Sequence, residues 1–247
     1  MKQTKIIMGM PITVEIVDVA DKTNIFTSVF DYFRQVDNRF STYKKRSEIS
    51  QINAGKLVPD AYSRDMKIVL QLCEDTRQET HGYFNIEHEG KLDPSGLVKG
   101  WAIYHAARII EQAGYRNYYI NAGGDIEMSG HTAEKRPWRV GIRNPFDRNE
   151  IIKIVSLSHG GVATSGTYVR GLHIYNPHKP GKQLTELQSV TVIGPNVYDA
   201  DRFATAVFAM GKRGLQLIDA VQGLEAYIID SKGKALYTEG FTQYVIE

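Results

Sequence analysis

Leu92-Asp93-Pro94-Ser95-Gly96-Leu97-Val98-Lys99-Gly100 sets a carboxylate, a hydroxyl, two glycines and an amine side by side, then runs into an apolar pattern of helical spacing. Pro94 fixes φ and Gly96 permits close backbone approach, so the stretch reads as a shaped turn feeding a helix N-terminus. Such a turn holds an anion on its free amides or offers its carbonyls to a cation. It is no Walker A loop, because Gly-x-x-x-x-Gly-Lys-Ser/Thr is not satisfied. An ordinary loop before a helix is the plain alternative.

The helix it feeds is expected over about 99–113, with Gly114 as its stop. Upstream, residues 5–17 are β-branched and end in the alternation Ile12, Val14, Ile16, a strand signal; Gly9 inside Met8-Gly9-Met10 suggests a bulge or a close approach. Residues 21–36 form a helix whose Ile25, Val29, Phe33 and Val36 share a face. After the break at 37–39 and the irregular Phe40-Ser41-Thr42-Tyr43, residues 47–53 make a short helix or turn closed by Gly55. Residues 64–80 are strongly helical, with Met66, Val69, Leu70 and Cys73 on one stripe, and His81-Gly82 ends them. Cys73 then reads most simply as a core residue. Tyr83-Phe84-Asn85-Ile86 leads, extended, into the opening motif.

Downstream, 118–121 reads as a buried strand running into Ala122-Gly123-Gly124-Asp125-Ile126. Two glycines after a strand admit a phosphate, but Gly-x-Gly-x-x-Gly is missing and no Rossmann site is implied. Strands follow over 138–142 and 151–157, around an Asn144-Pro145 turn. Residues 160–171 are rich in glycine, serine and threonine, and a brief strand over 172–175 carries His173. Residues 189–194 are another strand, leading to a helix capped by Asp199 and stopped at Gly211. Further pieces at 215–221 and 226–230 precede a last strand near 244–246. Strands outnumber long helices and do not alternate strictly with them. The expected fold is therefore α+β: one compact domain over 1–247, of mixed, largely antiparallel sheets packed with helices.

Composition narrows the function more than it names it. Apolar content of 42% and charged content of 23% in 247 residues suit a globular protein with a substantial core. A net charge of +2, with Lys and Arg scattered, does not suggest nucleic acid. One cysteine excludes an internal disulfide and any cysteine-rich metal site. No apolar run approaches the ~18 residues that a membrane span requires. With no export signal or lipid-attachment cysteine in its first residues, the chain is expected in the cytoplasm.

Asp201 and Thr205, four residues apart on an expected helix, project from one face and make plausible oxygen ligands for Mg²⁺. The plain reading is an acid serving the helix dipole beside a solvent-facing threonine. His173, flanked by Leu172 and Ile174, reads alone as a hydrogen-bonded structural residue, with a base or ligand as the alternative. No other histidine stands at metal-binding spacing with it, which argues against zinc. Ser165 lacks a Gly-x-Ser-x-Gly context, which argues against a serine hydrolase.

Taken in order, the segments resemble the ApbE-type FAD:protein FMN transferases. The carrying residues are Met8-Gly9-Met10, Arg39-Phe40-Ser41-Thr42-Tyr43, Ser47-Glu48-Ile49 with Asn53, and Asp93-Pro94-Ser95-Gly96-Leu97-Val98-Lys99-Gly100. They continue with Asn121-Ala122-Gly123-Gly124-Asp125, Ala163-Thr164-Ser165-Gly166, His173, and residues 199–205 with Gly211. The resemblance runs from about 8 to 211, and ordered blocks are far more specific than any one of them.

The resemblance implies a Mg²⁺-dependent transferase that cleaves FAD, attaches FMN through a phosphoester to a threonine of an acceptor protein, and releases AMP. It implies Mg²⁺ on Asp201, Thr205 and the main-chain carbonyl of Gly96. FAD would contact Met8, Tyr43, Tyr83, Phe84, Asn85, Asp93, Lys99 and Ile174. His173 would take the proton of the acceptor hydroxyl or orient the phosphate. A Mg²⁺-dependent FAD pyrophosphatase and a non-catalytic FAD-binding protein stand as alternatives. The acceptor's identity and any homo-oligomeric state are not legible. Two departures stand out: residues 86–92 bridge in a few residues what is a much longer stretch in such enzymes, and Asn85 occupies a position where aspartate is common. Part of the usual FAD-pocket wall is therefore expected to be missing or supplied by another subunit.

Overall fold

The computed structural model describes residues 1–19, 24–147, 149–166 and 174–246. Strands β1 (Lys2–Ile7) and β2 (Met10–Ile16) form a hairpin, so the expected single strand over 5–17 is two. Met8 (φ 57°) and Gly9 (φ 71°) make its two-residue turn. Left-handed backbone at both turn positions matches the twist of paired strands, which is why this is a turn and not a bulge.

Along the chain follow α1 (Ile25–Phe40), α2 (Glu48–Asn53), α3 (Arg64–Glu79), the short strands β3 (Glu87–His88) and β4 (Lys91–Leu92), and α4 (Ser95–Gln112). Then come β5 (Tyr118–Ala122), β6 (Asp125–Ser129), β7 (Trp138–Arg143), β8 (Ile151–Leu157), β9 (His159–Gly166) and β10 (Leu187–Gly194). The chain ends with α5 (Val197–Met210), α6 (Gly214–Asp219), β11 (Glu225–Asp230), β12 (Ala235–Tyr237) and β13 (Val245–Ile246). The expected α+β class of largely antiparallel sheets holds.

Eight strands form the main sheet in the order β1-β2-β5-β6-β9-β10-β11-β12, and each neighbouring pair is antiparallel. Strand β2 buries alternate residues, Ile12, Val14 and Ile16, against the helices. In β10 and β11 burial is nearly continuous, because a second layer covers the other face. That layer is the sheet β13-β8-β7, whose Trp138, Val140, Val155 and Leu157 pack on Ile126, Met128, Ile193 and Ile229. A strand covered on both faces cannot alternate.

Helix α4 lies at the centre of the helical layer, touching α1, α5 and the sheet. Leu97, Val98, Trp101, Ala102, Ile103, Ala106 and Ile110 are all buried, a face too wide for a surface helix. The segment rich in glycine, serine and threonine is, through Gly166, the interior strand β9. The cap of α5 is Asn196 and not Asp199: Asn196 Oδ1 accepts the Asp199 N–H at 2.9 Å, while its amide donates back to Asp199 Oδ2 at 2.9 Å. This reciprocal pairing places Asp199 inside the first turn. Of the expected strand over 172–175, Ile174 and Tyr175 carry no strand, and 172–173 fall outside the described residues.

Candidate functional site

The helix after the opening motif begins at Ser95, four residues earlier than expected, and this places Gly96 in its first turn and Lys99 at the start of its second. Asp93 Oδ1 accepts the Ser95 N–H at 3.0 Å, and Pro94 O accepts the amides of Leu97 and Val98 at 3.0 and 2.9 Å. Helix capping thus falls to a main-chain carbonyl and an Asx turn.

Helix α5 crosses this turn closely enough to bond two main-chain groups of the motif. The Gly100 N–H donates to Asp201 Oδ2 at 2.7 Å, and Thr205 Oγ1 donates to the Gly96 carbonyl at 3.3 Å. A Cβ on Gly100 would stand 2.7 Å from Cβ of Asp201 and 2.8 Å from the Val197 carbonyl, so only glycine admits this crossing. In helical register the Gly100 N–H faces the Gly96 carbonyl.

The charge here is unusual. Asp201 is 2% exposed and Asp125, at the start of β6, 1%. Between them lies the Lys99 ammonium, with Nζ 2.5 Å from Asp125 Oδ2 and 3.4 Å from Asp201 Oδ1. Burial pushes the Asp201 carboxyl well above its ordinary value; Lys99 opposes this and Asp125 adds to it. Among the described residues, two carboxylates against one ammonium leave the cluster short of positive charge. Its candidate ligands, a carboxylate, a hydroxyl and a carbonyl, are all oxygen, the set that suits a hard divalent cation. Among the described residues no group of three or more His, Cys, Asp or Glu side chains is arranged to hold a metal. A magnesium-type site, which needs only one or two carboxylates, fits without one.

These groups line one side of a cavity of about 510 Å³, within the range of small-molecule sites. Tyr83, Phe84, Asn85, Asp93, Gly96, Lys99, Ile174, Asp201 and Thr205 all face it. Met8 and Tyr43 are not part of that lining: Met8 sits in the β1–β2 turn, partly buried against the helical core, and Tyr43 is 95% exposed. His173 lies outside the described residues.

The short bridge 86–92 does contribute a wall. Strands β3 and β4 pair as a tiny hairpin around Glu89-Gly90, and His88, Glu89, Lys91 and Leu92 line the cavity. Asn53 holds its base in both directions, donating to the Leu92 carbonyl at 2.9 Å and accepting its N–H at 2.8 Å. Tyr175 holds the other side: its hydroxyl donates to the carbonyls of Asn85 (3.0 Å) and Glu87 (2.7 Å), and its ring lies 4.2 Å from that of His88. Neither role is legible from spacing, although Asn53 and Asp125 both stand in the blocks that carry the resemblance. The two glycines after β5 form the two-residue turn of the β5–β6 hairpin, which sets Asp125 opposite Ala122.

Compared with known proteins, residues 8–89 and 87–228 match the ApbE family. The two stretches meet at the small hairpin. The FAD:protein FMN transferase of Klebsiella pneumoniae (strain 342) is 35% identical over 157 residues, which are 60% of this chain and 45% of that protein. That of Vibrio cholerae serotype O1 is 24% identical over 269 residues, 83% of this chain and 79% of the relative. The matched part is thus under half the length of the Klebsiella relative. Among solved structures, the flavin transferase ApbE from Vibrio cholerae superposes with a TM-score of 0.87 at 23% identity, covering 99% of this chain and 98% of that one. The ApbE protein from Thermotoga maritima gives 0.84 at 21% identity, covering 100% and 99%. At such identities the structural likeness speaks for the fold. Among the described residues, no helix is long and apolar enough to cross a membrane.

Proposed function

This chain belongs to the ApbE family, and from that premise we propose that it is a Mg²⁺-dependent FAD:protein FMN transferase, acting as one domain over 1–247. The observation that carries the reading is the convergence of Asp201, Thr205 and the Gly96 carbonyl, beside the Lys99 ammonium, on one wall of a ligand-sized cavity. The curated relatives bear the name FAD:protein FMN transferase.

In this reading Asp201, Thr205 and the Gly96 carbonyl hold Mg²⁺. When bound, the ion supplies positive charge to the pyrophosphate, lowering the cost of charge that builds on the leaving phosphate. The chain's own residues do the remainder. Lys99 presents its ammonium to the same phosphates. Tyr83, Phe84 and Ile174 offer aromatic and apolar surface to the rings of FAD. The β3–β4 hairpin, fixed by Asn53 and Tyr175, closes the cavity over them. The hydroxyl oxygen of an acceptor threonine forms a bond to the FMN-side phosphorus while that phosphorus loses its bond to the AMP phosphate. AMP leaves with the electron pair, and His173 takes the hydroxyl proton. In this reading FAD also contacts Met8 and Tyr43.

Incubating the protein with FAD and Mg²⁺, with and without a threonine-bearing acceptor, tests the reading. Covalently flavinylated acceptor with stoichiometric AMP is expected. FMN and AMP formed equally without acceptor would make the protein a pyrophosphatase, and neither product would leave a binding protein.

A further inference from the structure

Asp125 has no part in the chemistry above, yet it is the acid closest to Lys99. It opens β6 at the edge of the cavity, and its Oδ1 accepts the Thr164 N–H of β9 at 3.1 Å. Strands β6 and β9 are interior and paired to each other, so this carboxylate is held by rigid backbone. Its Oδ2 lies 2.5 Å from Lys99 Nζ, while Asp201 Oδ1 is 3.4 Å from the same nitrogen. Among the described residues, this ammonium therefore faces two buried carboxylates and sits nearer the one that is not a proposed ligand.

We propose that Asp125 is a positioning residue that holds the Lys99 ammonium away from Asp201, keeping the Asp201 carboxylate open to a divalent cation. The proposal rests on the reading above, in which Asp201 is a metal ligand. The physical argument is competition. In a desolvated site an ammonium and a carboxylate attract strongly. The lysine stem is flexible enough to close the small remaining gap to Asp201 by rotation of its terminal bonds. With Asp125 neutral, the ammonium loses its nearer partner and settles on Asp201, where it occupies the position a cation needs. Asp125 prevents this by offering a closer anion on fixed backbone. It also keeps the ammonium at the cavity wall, where a pyrophosphate can meet it.

The test uses Mn²⁺ as the probe, with binding to the full-length protein measured by electron paramagnetic resonance without FAD. Asp125→Asn is expected to weaken Mn²⁺ binding five-fold or more, and adding Lys99→Met to that variant should recover most of the loss, because the competing ammonium is gone. A purely structural role for Asp125 gives no such recovery. Binding by Asp125→Asn less than five-fold weaker than wild type, or a double variant no tighter than the single, overturns the proposal. If Asp125→Asn does not fold, the double variant decides: it should match wild type within five-fold, and weaker binding overturns the idea. Wild-type protein that binds no Mn²⁺ removes the metal reading itself, an outcome distinct from failure of Asp125 alone.

Discussion

The backbone N–H of Gly100 donates to Oδ2 of Asp201 at 2.7 Å, joining residues 101 apart in sequence at a helix crossing where no side chain fits. The contact makes Gly100 part of the site without any chemistry of its own. Gly100→Ala forces α4 and α5 apart against buried backbone. Overpacking of this kind costs about 1–3 kcal/mol, offset in part by the better helix propensity of alanine. The expected result is a Tm lower by several degrees and a larger loss in Mg²⁺-dependent FAD cleavage than in fold, measured by thermal melting beside AMP release. Unchanged activity would show that the crossing distance is not critical.

Asp201 illustrates a site that is costly to keep. Its carboxyl is buried and pushed upward, so in the metal-free protein an ionised Asp201 works against folding. Asp201→Asn retains an acceptor for the Gly100 amide and removes the charge. The metal-free variant should melt at the same temperature as wild type or a few degrees above it. The rise in Tm expected of wild type on adding Mg²⁺ should be absent from the variant, and turnover with it. A preserved Mg²⁺ shift would remove Asp201 from the metal site.

The small hairpin predicts a different kinetic signature. Tyr175→Phe removes the one hydroxyl proton that the carbonyls of Asn85 and Glu87 share, while keeping the ring beside His88. Such a shared bond contributes on the order of 1 kcal/mol. The variant should raise KM for FAD several-fold and leave kcat nearly unchanged, because the hairpin shapes the cavity wall and does not touch the reacting phosphate. A fall in kcat with unchanged KM would place Tyr175 nearer the chemistry than its contacts indicate.

Cys73 gives a check on packing alone. It is 2% exposed on the buried stripe of α3, and burial pushes its thiol up to about 12. An aromatic disulfide reagent should find no reactive thiol in the native protein and one after denaturation. Fast native labelling would mean that α3 is not seated as described.

Periodicity read the amphipathic elements well and the buried ones less well. Helix α3 and strand β2 carry one apolar face each, and that pattern is local to the sequence. Strand β9 was not recognisable, because Gly160, Gly161 and Gly166 have no side chains to alternate and the strand is covered on both faces. The β1–β2 turn was hidden because Met8 adopts a positive φ that its side chain does not announce. In the site, Asp201 and Thr205 were readable from their helical spacing, and Gly96 from the resemblance. Their meeting was not, since it depends on a crossing across more than a hundred residues of chain. Asp125 was missed as a functional group because its partner, Lys99, stands on another element, and no spacing within one element encodes that pairing.

Glu127 carries the pH prediction. It lies two residues beyond Asp125 on β6, 2% exposed, and burial pushes its carboxyl up to about 8; the Val197 N–H at 2.6 Å and the more distant Arg108 guanidinium resist that shift. The folded pKa stands above the unfolded value of about 4.5. The native state therefore holds a proton that the unfolded chain has released, and stability falls as pH rises from about 4.5 through about 8. The contribution is fully present below the lower value and lost above the higher one. Glu127→Gln keeps an acceptor for the Val197 amide and cannot ionise. Its stability should match wild type near pH 4.5 and exceed it at pH 9 by an amount on the order of 5 kcal/mol, read from urea unfolding at each pH. Parallel pH profiles for the two proteins would mean that Glu127 is already ionised in the fold, and that the Val197 amide at the start of α5 suffices to hold its charge.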